Sequence, residues 1–264
     1  MVKKLSWLVG MMLVVFSATA MAQTVPLADR PLVLEVNKGE VGLDISVGLD
    51  KSLMAKRFAL KNEYFGDRYS GLSFGYGVIE NLEVGLALNL GWKDKKYVGQ
   101  DGFKFGGAYV YGKYGFHPMV GAELGIRIPG EKFGDNRVGV TVGVPFQYIA
   151  MPGVLKIHAR PDLLVDFKKK ATLGGGKAVQ LAIVFDAGVT INATPELFFD
   201  VSGGMSKQLS PSADLIPGVA VTAGYTVIPA MDLFLNFAMN NLNPLAGGAM
   251  DAKGMTLGAT YRFP

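Results

Sequence analysis

The stretch GLSFGYGVIENLEVGLALNLG, residues 71–91, decides how this chain folds. Every second residue from Leu72 to Val78 is apolar, and so is every second residue from Leu82 to Leu90. The residues between them are small or polar, and the tight turn Ile79-Glu80-Asn81 separates the two runs. A period of two residues belongs to a β-strand whose two faces meet different surroundings. The stretch therefore predicts an antiparallel hairpin with one apolar face.

The same alternation recurs from Val41 to Phe263, in about twelve segments joined alternately by short turns and long polar loops. Strands of about 9–11 residues cross a bilayer at a tilt. An even number of such strands, with short turns at one end and longer loops at the other, is the pattern of transmembrane barrels. The sequence therefore predicts an all-β fold, a closed antiparallel transmembrane β-barrel of about 12 strands, connected as an up-and-down meander.

A soluble β-sandwich or soluble barrel is the alternative fold. Its core would have to be the Val, Leu and Ile set, which would leave a solvated surface rich in Gly, Ala and Ser. Half of the residues are hydrophobic, yet no apolar run after the N-terminal segment is long enough for a membrane helix. That composition favours the membrane barrel. Pro145 and Pro161 fall inside predicted strands and remove ladder donors, so we expect bulges or strand ends there, near the periplasmic rim for Pro145.

The N-terminus has the form of a secretory signal. Lys3 and Lys4 precede the apolar run Leu5–Ala18, and Ala20-Met21-Ala22 is an A-x-A cleavage site. We expect residues 1–22 to be a signal peptide and residues 23–264 to be one barrel domain. Residues 23–39 are expected to form a short periplasmic lead-in to the first strand.

Composition excludes several classes of function. The chain has no cysteine, so it has no disulfide and no lipid-modified cysteine. The formal charge is +4 and includes the two lysines of the signal, so nucleic acid is not an expected partner. No metal-ligand spacing and no nucleotide-binding fingerprint stands out, and we expect neither a metal nor another cofactor.

In three features the chain resembles Gram-negative outer-membrane β-barrel proteins of about twelve strands. They are the export site Ala20-Met21-Ala22, the hairpin Tyr76–Gly85 and the aromatic end Tyr261-Arg262-Phe263-Pro264. The resemblance covers nearly the whole chain, without singling out a subfamily. It implies an outer-membrane location, contact with lipid and lipopolysaccharide, and insertion by the barrel-assembly machinery. Proteins of that family usually end in an aromatic residue, whereas here Pro264 follows the last aromatic residue, Phe263.

Inward-facing charges on the middle strands are the candidate functional residues. Side chains that line a lumen set its preference for ions and solutes. The candidates are Glu123, Arg127, Arg137, Lys156, His158, Arg160, Asp162, Asp186 and Asp200. Two interpretations remain open: the charges line a pore, or they pair with one another and close the barrel. Small inward residues such as Gly85, Gly125 and Gly139 favour open space and hence the pore.

The predicted function is passive diffusion of small hydrophilic solutes, with a lean toward anions from the stripe Lys156, His158 and Arg160. A structural or adhesive barrel with a closed lumen is the alternative. A lipid-modifying enzyme is a third possibility, which would need a histidine and a serine at the outer rim. His117 lies in a predicted turn, His158 points inward, and no Gly-x-Ser-x-Gly motif occurs, so we expect no catalytic residue. Basic residues of the long loops could bind lipopolysaccharide phosphates, steer anionic solutes to the barrel or simply form a solvated surface. They are Lys51, Lys56, Arg57, Lys61, Arg68, Lys93, Lys95, Lys96 and Lys168–Lys170.

Overall fold

Nearly all of the described chain after Lys38 is β-strand. The computed structural model describes residues 24–48, 71–93, 102–129, 137–168, 179–210, 215–239, 242 and 253–264. The expected signal peptide and most of the long loops lie outside these residues. The strands are β1 (Gly39–Gly48), β2 (Gly71–Ile79), β3 (Leu82–Lys93), β4 (Gly102–His117), β5 (Val120–Pro129), β6 (Arg137–Gly143), β7 (Phe146–Met151), β8 (Leu155–Lys168), β9 (Val179–Asn192), β10 (Leu197–Ser210), β11 (Ile216–Ile228), β12 (Met231–Met239) and β13 (Lys253–Phe263).

The sheet closes on itself. Successive barrel strands pair antiparallel, and β1 pairs with β13 in a ladder that runs from Gly39 opposite Phe263 to Gly48 opposite Gly254. Segments β6 and β7 are two halves of one barrel strand, because both pair with β5 on one side and β8 on the other. The barrel therefore has 12 strands, and the predicted fold is confirmed.

The wall is apolar on the outside and polar on the inside. Leu124 and Leu257 are 59% and 58% exposed, whereas Glu123, the neighbour of Leu124, is 2% exposed. Each Å² of apolar surface left in water costs about 25 cal/mol. A continuous apolar outer band removes that cost only when hydrocarbon covers it, as in a membrane barrel. The soluble alternative, in which the apolar face would be the core, is excluded by this orientation.

The two strand prolines each remove one donor from the hydrogen-bond ladder. Strand β6 ends at Gly143 and β7 begins at Phe146, so Pro145 interrupts the barrel strand in its middle and not near the rim as expected. The pairing of β6 and β7 with β8 puts Pro161 opposite Val144. The bulge or strand end expected at Pro161 is absent, and β8 runs through it without a register shift. The N–H of Val144 still donates to the carbonyl oxygen of Pro161 (3.0 Å), so only the return bond, which Pro161 cannot donate, is missing there.

A bulge settles the register of β4. Its aromatic residues Phe105, Tyr109 and Tyr111 are separated by four and two residues, so they would share one face of a regular strand. The ladder with β3 shifts between Gly107 and Phe105. One extra residue reverses the face of everything beyond it. Phe105 is therefore exposed on the outer wall, while Tyr109 is buried on the inner one.

Helical structure is minor in the described residues. A 3-10 turn, Leu27–Asp29, precedes β1. No helix among the described residues is long and apolar enough to cross a membrane.

Candidate functional site in the barrel lumen

One cluster of inward charges is centred on Arg160. Its Nε donates to Asp162 Oδ1 (2.7 Å), and its Nη1 donates to Glu123 Oε2 (3.2 Å). The hydroxyl of Tyr109 donates to the other oxygen of Glu123 (2.8 Å). Glu123 and Asp162 are buried, so this one guanidinium compensates two carboxylates that water scarcely reaches. All four side chains occupy inward positions of β4, β5 and β8.

A second cluster is centred on the buried Glu83 of β3. Lys113 forms an ion pair with its Oε2 (2.8 Å), and the hydroxyl of Tyr111 donates to its Oε1 (2.9 Å). The backbone N–H of Leu34, which precedes the first strand, donates to Oε2 as well (3.0 Å). Glu83 thus joins two barrel strands and the N-terminal segment at the short-turn end of the barrel.

A third cluster is centred on Asp232 at the start of β12. Both Arg30 and Arg262 bind its carboxylate through two nitrogens each, and the hydroxyl of Thr226 donates to Oδ1 (2.7 Å). Bidentate arginine–carboxylate pairs are among the strongest hydrogen bonds in proteins. Because Arg30 comes from the N-terminal segment, this cluster also ties that segment to the wall.

Two smaller contacts complete the charged lining. Arg127 Nη2 lies 2.5 Å from Asp166 Oδ1, and both side chains are partly exposed. His158 Nε2 lies 2.7 Å from Asp200 Oδ2, and the hydroxyl of Thr190 donates to the same oxygen (2.7 Å). Among the described residues, no group of three or more His, Cys, Asp or Glu could hold a metal ion.

The predicted candidates take inward positions in the structure. Glu123, Arg160 and Asp162 come together in one cluster, and His158 meets Asp200. Asp186 faces Arg160 across the β8–β9 ladder. Arg127 pairs with a residue outside the predicted set, and Lys156 bonds to the N-terminal segment. Arg137 begins β6 in an inward register, but its side chain lies outside the described residues.

Several members of the clusters were not among the predicted candidates: Arg30, Glu83, Lys113, Asp166, Asp232 and Arg262. The alternation of β3 and β12 already puts Glu83 and Asp232 on the polar face, so extending the search beyond the middle strands would have found them. No sequence signal marks Arg30, because it precedes the first strand.

The inward glycines do not mark empty space, contrary to our expectation. A Cβ on Gly85 would collide with the ring of Tyr111, and one on Gly125 would collide with the ring of Tyr109. A Cβ on Gly139 would meet the Arg127–Asp166 pair. At these three glycines, the absence of a side chain leaves room for an aromatic ring or an ion pair of a neighbouring strand to lie against the wall.

The segment before β1 lies in the mouth of the barrel and not in a free lead-in. Ala28 is fully buried, and its N–H donates to Asn192 Oδ1 (2.9 Å). Between this segment and the wall is a cavity of about 290 Å³, near the short-turn end. It is lined by Leu27, Leu32, Pro145, Phe146, Gln147, Lys156, His158, Ala159, Arg160, Asp186 and Thr190.

A closed 12-strand barrel with an apolar outer wall and a charged, hydrogen-bonded inner wall has the architecture of a transmembrane β-barrel. Two solved structures share the fold. The COG4313 outer membrane channel from Pseudomonas putida F1 is 12% identical with a TM-score of 0.58, and the match covers 91% of this chain and 100% of that one. The NanC porin is 10% identical with a TM-score of 0.53, and the match covers 84% and 98% of the two chains. No protein-family model matches the chain, and no curated protein matches its sequence.

Proposed function

We propose that this protein is a passive channel for small hydrophilic solutes across the outer membrane. The observation that carries the proposal is the charged inner wall of a closed, lipid-facing barrel, with a cavity beside it at one mouth. Side chains in such a lumen select solutes by charge and hydrogen bonding. The two solved structures of the same fold are called a channel and a porin, which supports this reading.

The proposed lean toward anions rests chiefly on Lys156. Its ammonium donates to the carbonyl oxygen of Leu27 (2.9 Å) and has no ion pair among the described residues. The charge of Arg160 is already offset by two carboxylates, although its Nη2 has no hydrogen-bond partner among the described residues. Asp186 lines the same cavity and opposes an anion there, so the preference is expected to be modest.

Planar-bilayer recording on the refolded mature chain tests the channel and its preference together. The wild type should give discrete conductance steps, and its reversal potential in a KCl gradient should show a small anion preference. Lys156→Glu should move the reversal potential toward cations. The control Lys207→Glu changes the same charge on the outer face and should leave the reversal potential where it was.

A structural barrel with a closed lumen is the second candidate. The ion pairs of the inner wall and the aromatic rings packed against inward glycines favour it. The same recording separates the two. Folded protein that gives no steps in any buffer would support the closed barrel and refute the channel.

The remaining parts of the proposal concern export and surroundings. Residues 1–22 are removed as a signal peptide, and the barrel-assembly machinery inserts residues 23–264. The loop lysines contact lipopolysaccharide phosphates. We propose no catalytic role: His117 accepts a hydrogen bond from the N–H of Met119 within a turn, and His158 is bonded to Asp200. Lipase activity lost on His158→Ala would contradict this.

A further inference from the structure

The N-terminal strap, defined as residues 24–38, crosses the barrel mouth along a diameter. Near its start, the carbonyl oxygen of Leu27 accepts from Lys156 of β8, and Asp29 Oδ1 accepts from the N–H of Gly153, just before β8 (2.6 Å). Its end continues into β1 at Gly39. Around the ring, β8 lies six barrel strands from β1, which is half of the circle. The strap therefore passes from one side of the lumen to the opposite side.

The strap also touches the wall on both sides of that diameter. A Cβ on Gly115 of β4 would lie 3.2 Å from Val33 Cγ2, and one on Gly121 of β5 would lie 3.3 Å from Leu32 Cδ2. On the other side, Arg30 binds Asp232 of β12. A segment that reaches the wall in all four directions fills much of the cross-section available to a solute.

All these contacts are at the end where the turns are short. Gly115 and Gly121 flank the turn between β4 and β5, and Asp232 follows the turn between β11 and β12. Short turns of outer-membrane barrels face the periplasm. The strap therefore lies across the periplasmic mouth.

The strap is attached by far fewer bonds than a barrel strand. One isolated bridge, Val36 with Gly77, is the strap's only ladder pairing among the described residues. Just before β1 the chain turns sharply: the N–H of Lys38 donates to the carbonyl oxygen of Glu35 (3.0 Å), and Asn37 has a φ of 60°. Such a turn can absorb a change of direction. The strap is thus a hinged segment held at its far end by side chains.

We propose that the N-terminal strap is a movable plug, latched by the Arg30–Asp232 pair, and that the pore conducts fully only when the strap swings away from the wall. This inference depends on the proposed channel function. It also assigns a second role to Lys156, because release of Leu27 would free its ammonium to meet a solute.

A disulfide between the strap and the wall tests the motion. A Cβ on Gly115 would lie 3.9 Å from Val33 Cβ, within the range for a disulfide. The native chain has no cysteine, so Val33→Cys with Gly115→Cys is the only pair in the variant. Under oxidising conditions, open-state conductance should be lost, and reductant should restore it to the wild-type level. Each single cysteine variant should respond to neither treatment.

Two further variants release the strap. Deletion of residues 24–36 should raise the mean conductance by about twofold or more, because it clears the mouth. Arg30→Gln should raise the open probability in the same direction. Arg262→Gln is the matched control: it removes the same kind of charge from the same carboxylate but leaves Arg30 in place, so gating should stay near wild type.

The outcomes separate the two proposals. If the wild type conducts and neither the crosslink nor the deletion alters conductance, the strap is a fixed lining and the gate is refuted while the channel stands. If neither the wild type nor the deletion variant conducts, although both run as folded barrels in a heat-modifiability gel, the channel function falls and the gate with it. A reversible block by the crosslink supports both.

Discussion

Replacing Arg160 with Gln should destabilise the barrel more than any other single removal of an inner-wall cation outside the mouth. The side chains of Glu123 and Asp162 are 0% and 2% exposed, and Arg160 is the cation that binds both. Breaking a buried ion pair by removing one partner costs about 3–5 kcal/mol, because buried carboxylates lose the cation that binds them. For a urea dependence of about 2 kcal/mol per M, the unfolding midpoint should fall by about 2 M.

Two matched variants test the reasoning. Arg127→Gln removes the same group from a pair whose side chains are 27% and 21% exposed, so it should cost only about 0–1 kcal/mol. Glu123→Gln leaves Arg160 bound to Asp162 and leaves an oxygen for the Tyr109 hydroxyl, so it should cost about 1 kcal/mol. The order of cost is therefore Arg160→Gln first and the other two well behind it.

Urea titration of the refolded mature barrel in lipid vesicles measures these costs. Fluorescence reports on one site, because the chain has two tryptophans, Trp7 in the predicted signal peptide and Trp92 in the barrel domain. Equal losses for Arg160→Gln and Arg127→Gln would refute the reasoning, since they would mean that water in the lumen screens both pairs alike.

Two other predictions concern the two faces of the wall. Gly125→Ala should displace the Tyr109 ring and lower the free energy of unfolding by about 1–3 kcal/mol. The control Gly112→Ala, whose Cβ would meet nothing within 4 Å, should change it by less than about 0.5 kcal/mol. Equal effects would contradict the packing of the Tyr109 ring against Gly125. Leu124→Arg, near the middle of β5 on the outer wall, should cost about 2–4 kcal/mol in vesicles, while Phe116→Arg at the short-turn rim should cost about 0–1 kcal/mol. A Leu124→Arg barrel as stable as the wild type would show that lipid does not cover that face.

Much of the candidate site could be predicted from alternation. The position of Glu123, Lys156, Arg160 and Asp200 on the inner face follows from a period of two, since each strand has only two faces. Which charges meet does not follow, because partners are set by the stagger between strands. Arg160 bonds to Glu123, which lies on a strand that is not the neighbour of β8 in the sequence.

Local pattern fails where the chain leaves regular pairing. Phe105 and Tyr109 are four residues apart and would share a face, and only the bulge next to Gly107 puts them on opposite faces. The break expected at Pro161 does not occur, because pairing with β9 continues through it and Val144 still donates to its carbonyl oxygen. In the sequence an inward glycine suggests empty space, and only the structure shows the aromatic ring of the neighbouring strand that fills it.

The amino-acid pattern by itself determined the barrel, its strand number and its lipid-facing side. The reason is that alternate residues of each strand face lipid and lumen, and each environment favours a different kind of side chain. Only the tertiary structure decided that residues 24–38 cross the mouth and that Arg30 reaches Asp232, which is 202 residues away in sequence. Such contacts depend on the closure of the ring, which brings together side chains that no local periodicity relates.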